Sequence, residues 1–149
     1  MRAIVQRVKK ASVTIDKNLH SKIDQGLLVF LAITEDDKEE DLDYIVRKII
    51  DMRIFSDENG KMNKSIKEID GQILVVSQFT LYGDIRKGRR PNFTQSAKAE
   101  KAKFYYEKSL DMLRNEIDTV ESGVFAADME VELINDGPVT IQLDSSKLY

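Results

Sequence analysis

The segment from Gln72 to Asp84, Q-I-L-V-V-S-Q-F-T-L-Y-G-D, sets the expected architecture of this chain. Ile73 to Val76 form a continuous aliphatic run, which is typical of a strand buried on both faces of a sheet. The run continues to Tyr82 and ends at a Gly-Asp turn signal. We therefore predict one central strand over this segment, with polar side chains where burial is expected: Ser77, Gln78 and Thr80.

These polar side chains mark a candidate site. A buried hydroxyl or amide costs free energy unless it is hydrogen-bonded, so either the fold or a ligand must supply the partners. The plain alternative is a strand end whose polar residues reach water at the rim of the sheet. The pattern alone leaves both interpretations open.

Composition places the chain among ordinary globular proteins. Of its 149 residues, 42% are hydrophobic and 33% are charged, so we expect a single domain over residues 1–149 with a substantial core. No apolar stretch approaches the ~18 to 20 residues needed to cross a bilayer, and the opening M-R-A-I-V-Q-R lacks the apolar block of a signal peptide. We expect a cytoplasmic protein with no membrane partner.

The inventory of reactive side chains is short. The chain has no Cys and one His, which excludes thiol catalysis and nearly excludes a zinc site of the common type. We expect neither a metal nor a cofactor. His20 lies in the polar stretch K-N-L-H-S-K, which predicts a loop, and a triad of His20 with Ser77 is the less favoured alternative. A hydrolase of this composition would work by positioning and backbone donors.

The charge pattern limits where RNA could bind. The net charge is −3, so the surface as a whole does not attract nucleic acid. One cluster is strongly basic, R-K-G-R-R at Arg86 to Arg90, followed by Pro91. Such a loop is either solvated surface or a phosphate contact, for which the candidate side chains are Lys87, Arg89 and Arg90.

Two strand regions are predicted in the N-terminal third. The residues from Arg2 to Lys9 show the side-chain alternation that is typical of a strand, and Ser12 to Asp16 continue this pattern. Together they predict either one bent strand or two successive strands. Arg7 shares a face with apolar neighbours, so its guanidinium either lies at an edge or clamps carbonyl or carboxylate oxygens. The run L-L-V-F-L-A-I after Gly26 predicts a further apolar strand.

Two amphipathic helices are also predicted. The first follows the acidic run after Thr34 and has an apolar stripe at helical spacing, formed by Leu42, Ile45, Val46, Ile49 and Ile50. The second runs from about Ser96 to Asn115, and its stripe comprises Ala102, Tyr106, Leu110, Leu113 and Ile117. Met52 to Phe55 is a short strand candidate. Many strands with two long helices predict the α+β class, with a mainly antiparallel sheet.

The C-terminal segment contains an interrupted strand pattern. Met129 to Ile134 alternate, N-D-G-P at Asn135 to Pro138 interrupts them, and V-T-I-Q-L resumes at Val139. Two strands joined by a tight turn explain the pattern. Cis X–Pro bonds are only ~5 to 6% of those in folded proteins, so the pattern alone does not assign a cis bond to Gly137–Pro138.

S-Q-F-T-L-Y-G-D together with F-A-A-D-M-E-V-E-L-I-N-D-G-P-V-T-I resembles the D-aminoacyl-tRNA deacylase family. The similarity extends through M-R-A-I-V-Q-R-V, A-S-V-T-I, G-L-L-V-F-L and K-G-R-R-P-N-F, in the same order along a chain of similar length. One departure is local, because I-D-K-N-L-H-S-K-I lacks the glycines that family members often carry in that early hairpin.

The resemblance implies a function and an assembly. The enzyme would hydrolyse the ester between a D-amino acid and the 3′ end of tRNA, and would also remove glycine mischarged onto tRNA for alanine. It would be a homodimer with active sites at the interface. There a cis Gly137–Pro138 turn of one subunit would enter the pocket of the other and reject L side chains. The sheet would be curved and barrel-like, with both helices packed outside.

The resemblance also assigns roles to residues. The catalytic group would be Ser77, Phe79 and Thr80, with the Phe79 and Thr80 N–H groups binding the oxyanion. The substrate-binding group would be Gln78, Met129, Gly137, Pro138 and Arg7, with Arg7 bracing the Gly137–Pro138 loop. Thr80 as a covalent nucleophile is the competing mechanism, which has no evident base.

Two other functions remain open from the sequence. The first is an editing domain of the type appended to archaeal threonyl-tRNA synthetases, which removes an L-amino acid. The intact N-D-G-P motif argues against it. The second is a non-catalytic RNA-binding module that uses the Arg86 to Arg90 loop, which the acidic overall charge makes less attractive.

Overall fold

A computed structural model describes residues 1–148. Within that range, two α-helices are α1 (Glu39–Asp51) and α2 (Ala99–Arg114), and a 3-10 helix spans Phe79–Tyr82. The strands are β1 (Arg2–Ile15), β2 (Asn18–Ile23), β3 (Gly26–Ala32), β4 (Phe55–Ser56), β5 (Met62–Lys64), β6 (Gln72–Ser77), β7 (Val120–Ser122) and β8 (Glu130–Asp144).

The main sheet is built on β1. Antiparallel partners of β1 are β2, β3 and β8, while β6 runs parallel to β3 and β7. The order is β2-β1-β3-β6-β7, with β8 on β1. The Ser21 hydroxyl on β2 donates to the Ser122 carbonyl of β7 at 2.9 Å, joining the two ends of that order. The sheet is therefore mixed, mainly antiparallel and nearly closed into a barrel, which confirms the predicted fold.

The core lies on both faces of this curved sheet. Both helices cover one face with the apolar stripes that their spacing predicts, including Leu42, Ile45, Tyr106, Leu110 and Leu113. A second cluster fills the other face, built from Val8, Ala11, Val13, Leu28, Leu74 and Val76. β6 contributes to both clusters, which explains its continuous aliphatic run.

Gly26 allows β3 and β6 to pair at their starts. It lies opposite Gln72 in the parallel register. A Cβ built on Gly26 would lie 1.8 Å from the Gln72 carbonyl oxygen, so no side chain fits there. The glycine therefore permits the register that carries β3 and β6 to the same edge of the sheet.

The central strand is shorter than predicted. It ends at Ser77, and Phe79–Tyr82 form the 3-10 helix, so the prediction of one strand through Tyr82 is wrong. Gln78 leaves the extended conformation at φ −141° and ψ 74°. Its N–H still donates to the Leu31 carbonyl of β3, while its own carbonyl accepts from the Leu81 N–H at 3.2 Å. Hydrogen bonds within the turn therefore replace the pairing with β3 from Gln78 onward.

The C-terminal pattern forms one strand. Both halves of β8 pair with β1, from Glu130 opposite Thr14 to Asp144 opposite Arg2, so the predicted pair of strands joined by a tight turn is wrong. Asn135 to Val139 instead form an irregularity within a single strand. The Gly137–Pro138 peptide bond is cis.

Three further secondary-structure assignments differ in detail from the sequence prediction. His20 lies in β2 rather than in a loop, because the polar hairpin arm pairs with β1. The strand predicted at Met52 to Phe55 is only Phe55–Ser56, and α2 begins at Ala99 rather than Ser96. Arg2 to Ile15 form one long strand, the first of the two alternatives. None of the helices in residues 1–148 combines the length and apolarity needed to cross a membrane.

Candidate active site

A pocket of about 610 Å³ opens where β6 ends. Its walls come from the ends of β3 and β6, the start of α2 and the loop of residues 125–129. The predicted residues Ser77, Gln78, Phe79 and Met129 line it. The polar side chains after the aliphatic run of β6 therefore border a cavity rather than the packed core.

The 3-10 helix presents unpaired backbone donors beside this pocket. In the part of the chain that the structure describes, the N–H groups of Phe79 and Thr80 have no hydrogen-bond partner. Their position explains this, because the first N–H groups of a helix have no intrahelical acceptor. Two adjacent free donors of this kind can bind an anionic oxygen.

Side chains hold the 3-10 helix in place. The Gln78 Nε2 donates to Thr80 Oγ1 at 2.5 Å, and the Ser96 hydroxyl donates to the Phe79 carbonyl at 3.0 Å. The Arg2 guanidinium donates to the Leu81 carbonyl at 3.1 Å and lies 4.5 Å from the centre of the Tyr82 ring. Sequence reasoning missed Ser96 and Arg2, because both contacts join residues far apart in the chain.

An aromatic pair forms the rim of the pocket. The Phe79 ring, 54% exposed, meets the Phe93 ring edge to face with centroids 5.1 Å apart. A Cβ on Gly83 would lie 3.0 Å from both the Phe93 ring and the Thr80 carbonyl oxygen. The glycine therefore lets Phe93 pack closely against the 3-10 helix.

The pocket contains few groups that could act as a base. Asp128 is the one titratable side chain among its lining residues, and His20 is not among them. The Thr80 hydroxyl contacts Gln78, an amide without basic character. Residues 1–148 contain no group of three or more His, Asp or Glu side chains placed to hold a metal. The geometry brings together backbone donors and neutral polar groups.

α2 supports the back of the pocket. The buried Tyr106 hydroxyl donates to the Val75 carbonyl on β6 at 2.9 Å. Burial raises the pKa of Tyr106 to about 12, so the hydroxyl keeps its proton and remains a donor. Gly123 leads into the pocket loop, where an added Cβ would lie 2.5 Å from the sulfur of Met129. Met129 thus packs directly on the backbone.

The other predicted substrate-binding residues form a second cluster. Arg7 is 9% exposed, and its Nη1 donates to the Ile54 carbonyl at 2.5 Å. Its Nε donates to the Asp136 carbonyl at 3.2 Å and lies 3.3 Å from the Asp136 carboxylate. Gly137 and Pro138 are exposed beside it, and no residue of this cluster lines the pocket of the same chain. Within one chain, the predicted site residues therefore lie in two places.

The backbone conformation at position 137 requires a glycine. Its φ is +117°, a region that L side chains rarely adopt. A Cβ there would also lie 2.7 Å from Arg7 Nη2. The absence of a side chain therefore lets the guanidinium approach the backbone.

The basic loop forms an exposed turn closed by two backbone hydrogen bonds between Asp84 and Asn92. Arg86 donates to both carboxylate oxygens of Asp84, which lowers the pKa of Asp84 to about 2. Among residues 1–148, no acidic side chain pairs with Lys87, Arg89 or Arg90. Their charges are available to an anionic partner.

Comparison with known proteins gives a consistent result. The family model described as D-Tyr-tRNA(Tyr) deacylase matches residues 4–144. The chain is 62% identical over 148 residues to a D-aminoacyl-tRNA deacylase of Dictyoglomus turgidum, covering 99% of this chain and 95% of the relative. It is 56% identical over 149 residues to that of Clostridioides difficile, covering 100% of both chains.

Solved structures share the fold. The structure described as the c-Myc DNA unwinding element binding protein has a TM-score of 0.92 and 41% identity, covering 97% of this chain and 98% of that one. A probable eukaryotic D-amino acid tRNA deacylase has a TM-score of 0.81 at 18% identity, covering 95% and 97%. The second likeness supports the architecture alone.

Proposed function

Since this chain belongs to the D-Tyr-tRNA(Tyr) deacylase family and is a hydrolase of the D-aminoacyl-tRNA ester, we propose how its pocket performs that reaction. The aminoacylated 3′ end of tRNA occupies the pocket at the end of β6. The scissile carbonyl lies against the N–H groups of Phe79 and Thr80. Water attacks that carbonyl, and the free tRNA and the amino acid leave.

The observation that carries this mechanism is the pair of unpartnered N–H groups at the start of the 3-10 helix. Ester hydrolysis passes through an oxyanion, and one well-placed donor is typically worth ~10² to 10³ in rate. These donors are part of a hydrogen-bonded turn, so they need no reorganisation during the reaction. Backbone stabilisation therefore fits a pocket whose lining side chains include a single titratable group.

Water activation then depends on the substrate. The ribose hydroxyl next to the ester can help to orient or deprotonate the attacking water, so that RNA supplies a group that the pocket lacks. Gln78 fixes the Thr80 hydroxyl at 2.5 Å, and Ser77 lines the same wall. In this proposal the Ser77 and Gln78 side chains position the terminal adenosine, and Met129 forms the opposite apolar wall.

Chiral selection is proposed to require a second subunit. Gly137 and Pro138 are exposed and lie outside the pocket of their own chain, while Arg7 holds the adjacent Asp136. In a homodimer, the Gly137–Pro138 segment would enter the partner's pocket and face the substrate α-amino group. An L side chain would then meet main chain, whereas a D side chain would point outward.

The same arrangement predicts that glycine is a substrate. Glycine has no side chain to clash with the segment, so rejection based on sterics would not exclude it. The enzyme would therefore also remove glycine mischarged onto tRNA for alanine. Lys87, Arg89 and Arg90 would contact tRNA phosphates outside the pocket. We place this activity in the cytoplasm, where aminoacyl-tRNA is used.

The first experiment measures amino-acid release from D-tyrosyl-tRNA, L-tyrosyl-tRNA, L-seryl-tRNA and glycyl-tRNA for alanine, with the wild type and Pro138→Ala. Hydrolysis of the D and glycyl esters only, with relaxed chirality in the variant, is the expected result. Hydrolysis of an L-seryl ester instead would favour the editing domain. Salt-sensitive tRNA binding without any turnover would favour the RNA-binding module.

Subunit mixing tests the shared site. Pro138→Ala alters the inserted segment, and Ala102→Trp fills the pocket from α2, where Ala102 is part of the wall. The first homodimer should be unselective and the second inactive. A differently tagged heterodimer should recover selective D-ester hydrolysis, because it contains one intact pocket facing one intact segment. An isolated heterodimer that remains unselective would contradict the cross-subunit arrangement.

A further inference from the structure

We propose that Asn135 is the positioning residue that sets the Gly137–Pro138 segment, and through it the preference for D over L esters. This inference rests on the proposed chiral mechanism and adds to it the residue that fixes the segment to the sheet. It is carried by an irregularity in the pairing of β1 with β8 and by the hydrogen bonds of one side chain.

The irregularity is an insert in β8. Val8 pairs with Asn135, and Gln6 pairs with Thr140, so Asp136 to Val139 lie opposite Arg7 alone. We call Asp136 to Val139 the β8 insert. It leaves the ladder at Asn135 and returns at Thr140, and the two ends of the insert must be held together for its middle to have one position.

The Asn135 side chain makes that connection. Its Nδ2 donates to the Arg7 carbonyl of β1 at 2.9 Å and to the Val139 carbonyl at the end of the insert, also at 2.9 Å. Both amide hydrogens are thereby used, one on each strand. The Thr140 hydroxyl lies 3.4 Å from Asn135 Oδ1 and accepts from Gln6 Nε2 at 3.2 Å, which orients the amide.

Arg7 alone does not fix the insert. Its guanidinium contacts the first residue, Asp136, and the Ile54 carbonyl behind it. It makes no hydrogen bond to the far end, which Asn135 holds through the Val139 carbonyl. Gly137 and Pro138 therefore lie between two anchors of different origin, a guanidinium on one side and an amide on the other.

Only a short amide suits this position. Aspartate has the same size but offers no donor when ionised, and it would face two carbonyl oxygens with a negative charge. Rejection of an L side chain depends on the placement of the insert, and a displacement of about 1 Å can change a rate by about 100-fold. Loss of the amide should therefore affect chirality more than the hydrolysis of D esters.

The test compares Asn135→Asp with Asn18→Asp. Asn18 also donates its amide to a carbonyl, that of Asp16 at 2.9 Å, but in the exposed β1–β2 turn. Each substitution adds one negative charge. For each dimer, kcat/KM is measured on D-tyrosyl-tRNA and L-tyrosyl-tRNA, together with the thermal unfolding midpoint.

We expect the D-to-L ratio of kcat/KM to fall by about tenfold or more in Asn135→Asp and to stay unchanged in Asn18→Asp. The fall should come mainly from faster L-ester hydrolysis, which a general loss of folded protein does not produce. A folded Asn135→Asp dimer with the wild-type ratio would overturn the inference.

Asn135→Ala makes the test independent of the introduced charge. It removes both donors without repulsion, and the two hydrogen bonds that it removes are only partly buried, so the variant should fold if the aspartate does not. The D-to-L ratio of kcat/KM should also fall in Asn135→Ala, and an unchanged ratio would again overturn the inference. If the wild type itself does not discriminate between D and L esters, the chiral mechanism fails first, which separates the two outcomes.

Discussion

Single residues at this site act mostly through contacts with the backbone. Arg7 donates to the carbonyls of Ile54 and Asp136, Ser96 donates to that of Phe79, and Arg2 donates to that of Leu81. Each of these side chains holds a loop or turn in a defined position. This distribution agrees with a reaction that depends on placed N–H groups rather than on a strong side-chain base.

Thr80→Val distinguishes the two mechanisms proposed for the 3-10 helix. The variant keeps the Thr80 N–H and loses the hydroxyl, whose partner is the amide of Gln78. We expect kcat on D-tyrosyl-tRNA to remain within about tenfold of the wild type, because the oxyanion donors persist. Loss of a covalent nucleophile typically lowers kcat by about 10⁴-fold or more, and a decrease of that size would contradict the backbone mechanism. Single-turnover hydrolysis is the measurement.

At the scale of elements, the site depends on where strands end. β3 and β6 run in parallel, so their carboxyl ends reach the same edge of the sheet, and the 3-10 helix begins there. The apolar pattern continues past that point, through Phe79, Leu81 and Tyr82, because the 3-10 helix also packs on its neighbours. β6 therefore ends where hydrogen bonds within the 3-10 turn replace its pairing with β3.

Gly26→Ala tests the pairing of these two strands. Its methyl group would overlap the Gln72 carbonyl oxygen, so β3 and β6 must separate at their starts. We expect a loss of about 3 kcal/mol or more in the free energy of unfolding, measured by urea titration.

Gly60→Ala is the matched control. Gly60 has a positive φ, +75°, unlike Gly26, but nothing lies within 4 Å of an added Cβ. Only backbone strain applies there, about 1 kcal/mol. Equal losses in the two variants would show that close strand approach at Gly26 is not the cause.

For the whole molecule, the first and last strands are joined to each other. β1 and β8 pair over nearly their full lengths, and Arg2 meets Asp144 at the last pair, with Nε 2.9 Å from Oδ2. Burial by itself would raise the pKa of Asp144, but hydrogen bonds from Ser146 and Arg2 outweigh burial and lower the pKa below its usual value. The ionised carboxylate therefore stabilises the folded state.

Stability should accordingly fall in acid. Because the pKa of Asp144 is lower in the folded chain than in the unfolded one, its contribution is complete above about pH 4 and is lost as pH falls through the folded pKa. Asp144→Asn should lower the free energy of unfolding by about 1 to 3 kcal/mol at pH 7 and by less at pH 3. Urea unfolding at both pH values measures this. The same loss at both would contradict a role for the ionised form.

The local pattern of the sequence was sufficient for much of this protein. Alternation and helical spacing predicted β1, β3, the start of β6, both helices and their buried faces, because burial of one face leaves a regular mark on neighbouring residues. The motifs S-Q-F-T-L-Y-G-D and N-D-G-P-V-T-I identified the family, since long motifs in order are specific.

The tertiary structure decided what depends on residues far apart in the chain. β6 ends at Ser77, where hydrogen bonds of the 3-10 turn replace the pairing with β3, and the two halves of β8 form one strand because both find β1 as a partner. Asn135, Ser96 and Arg2 gain their roles from contacts across many residues of sequence. Periodicity records only whether a face is buried, whereas pairing and packing determine which group lies there.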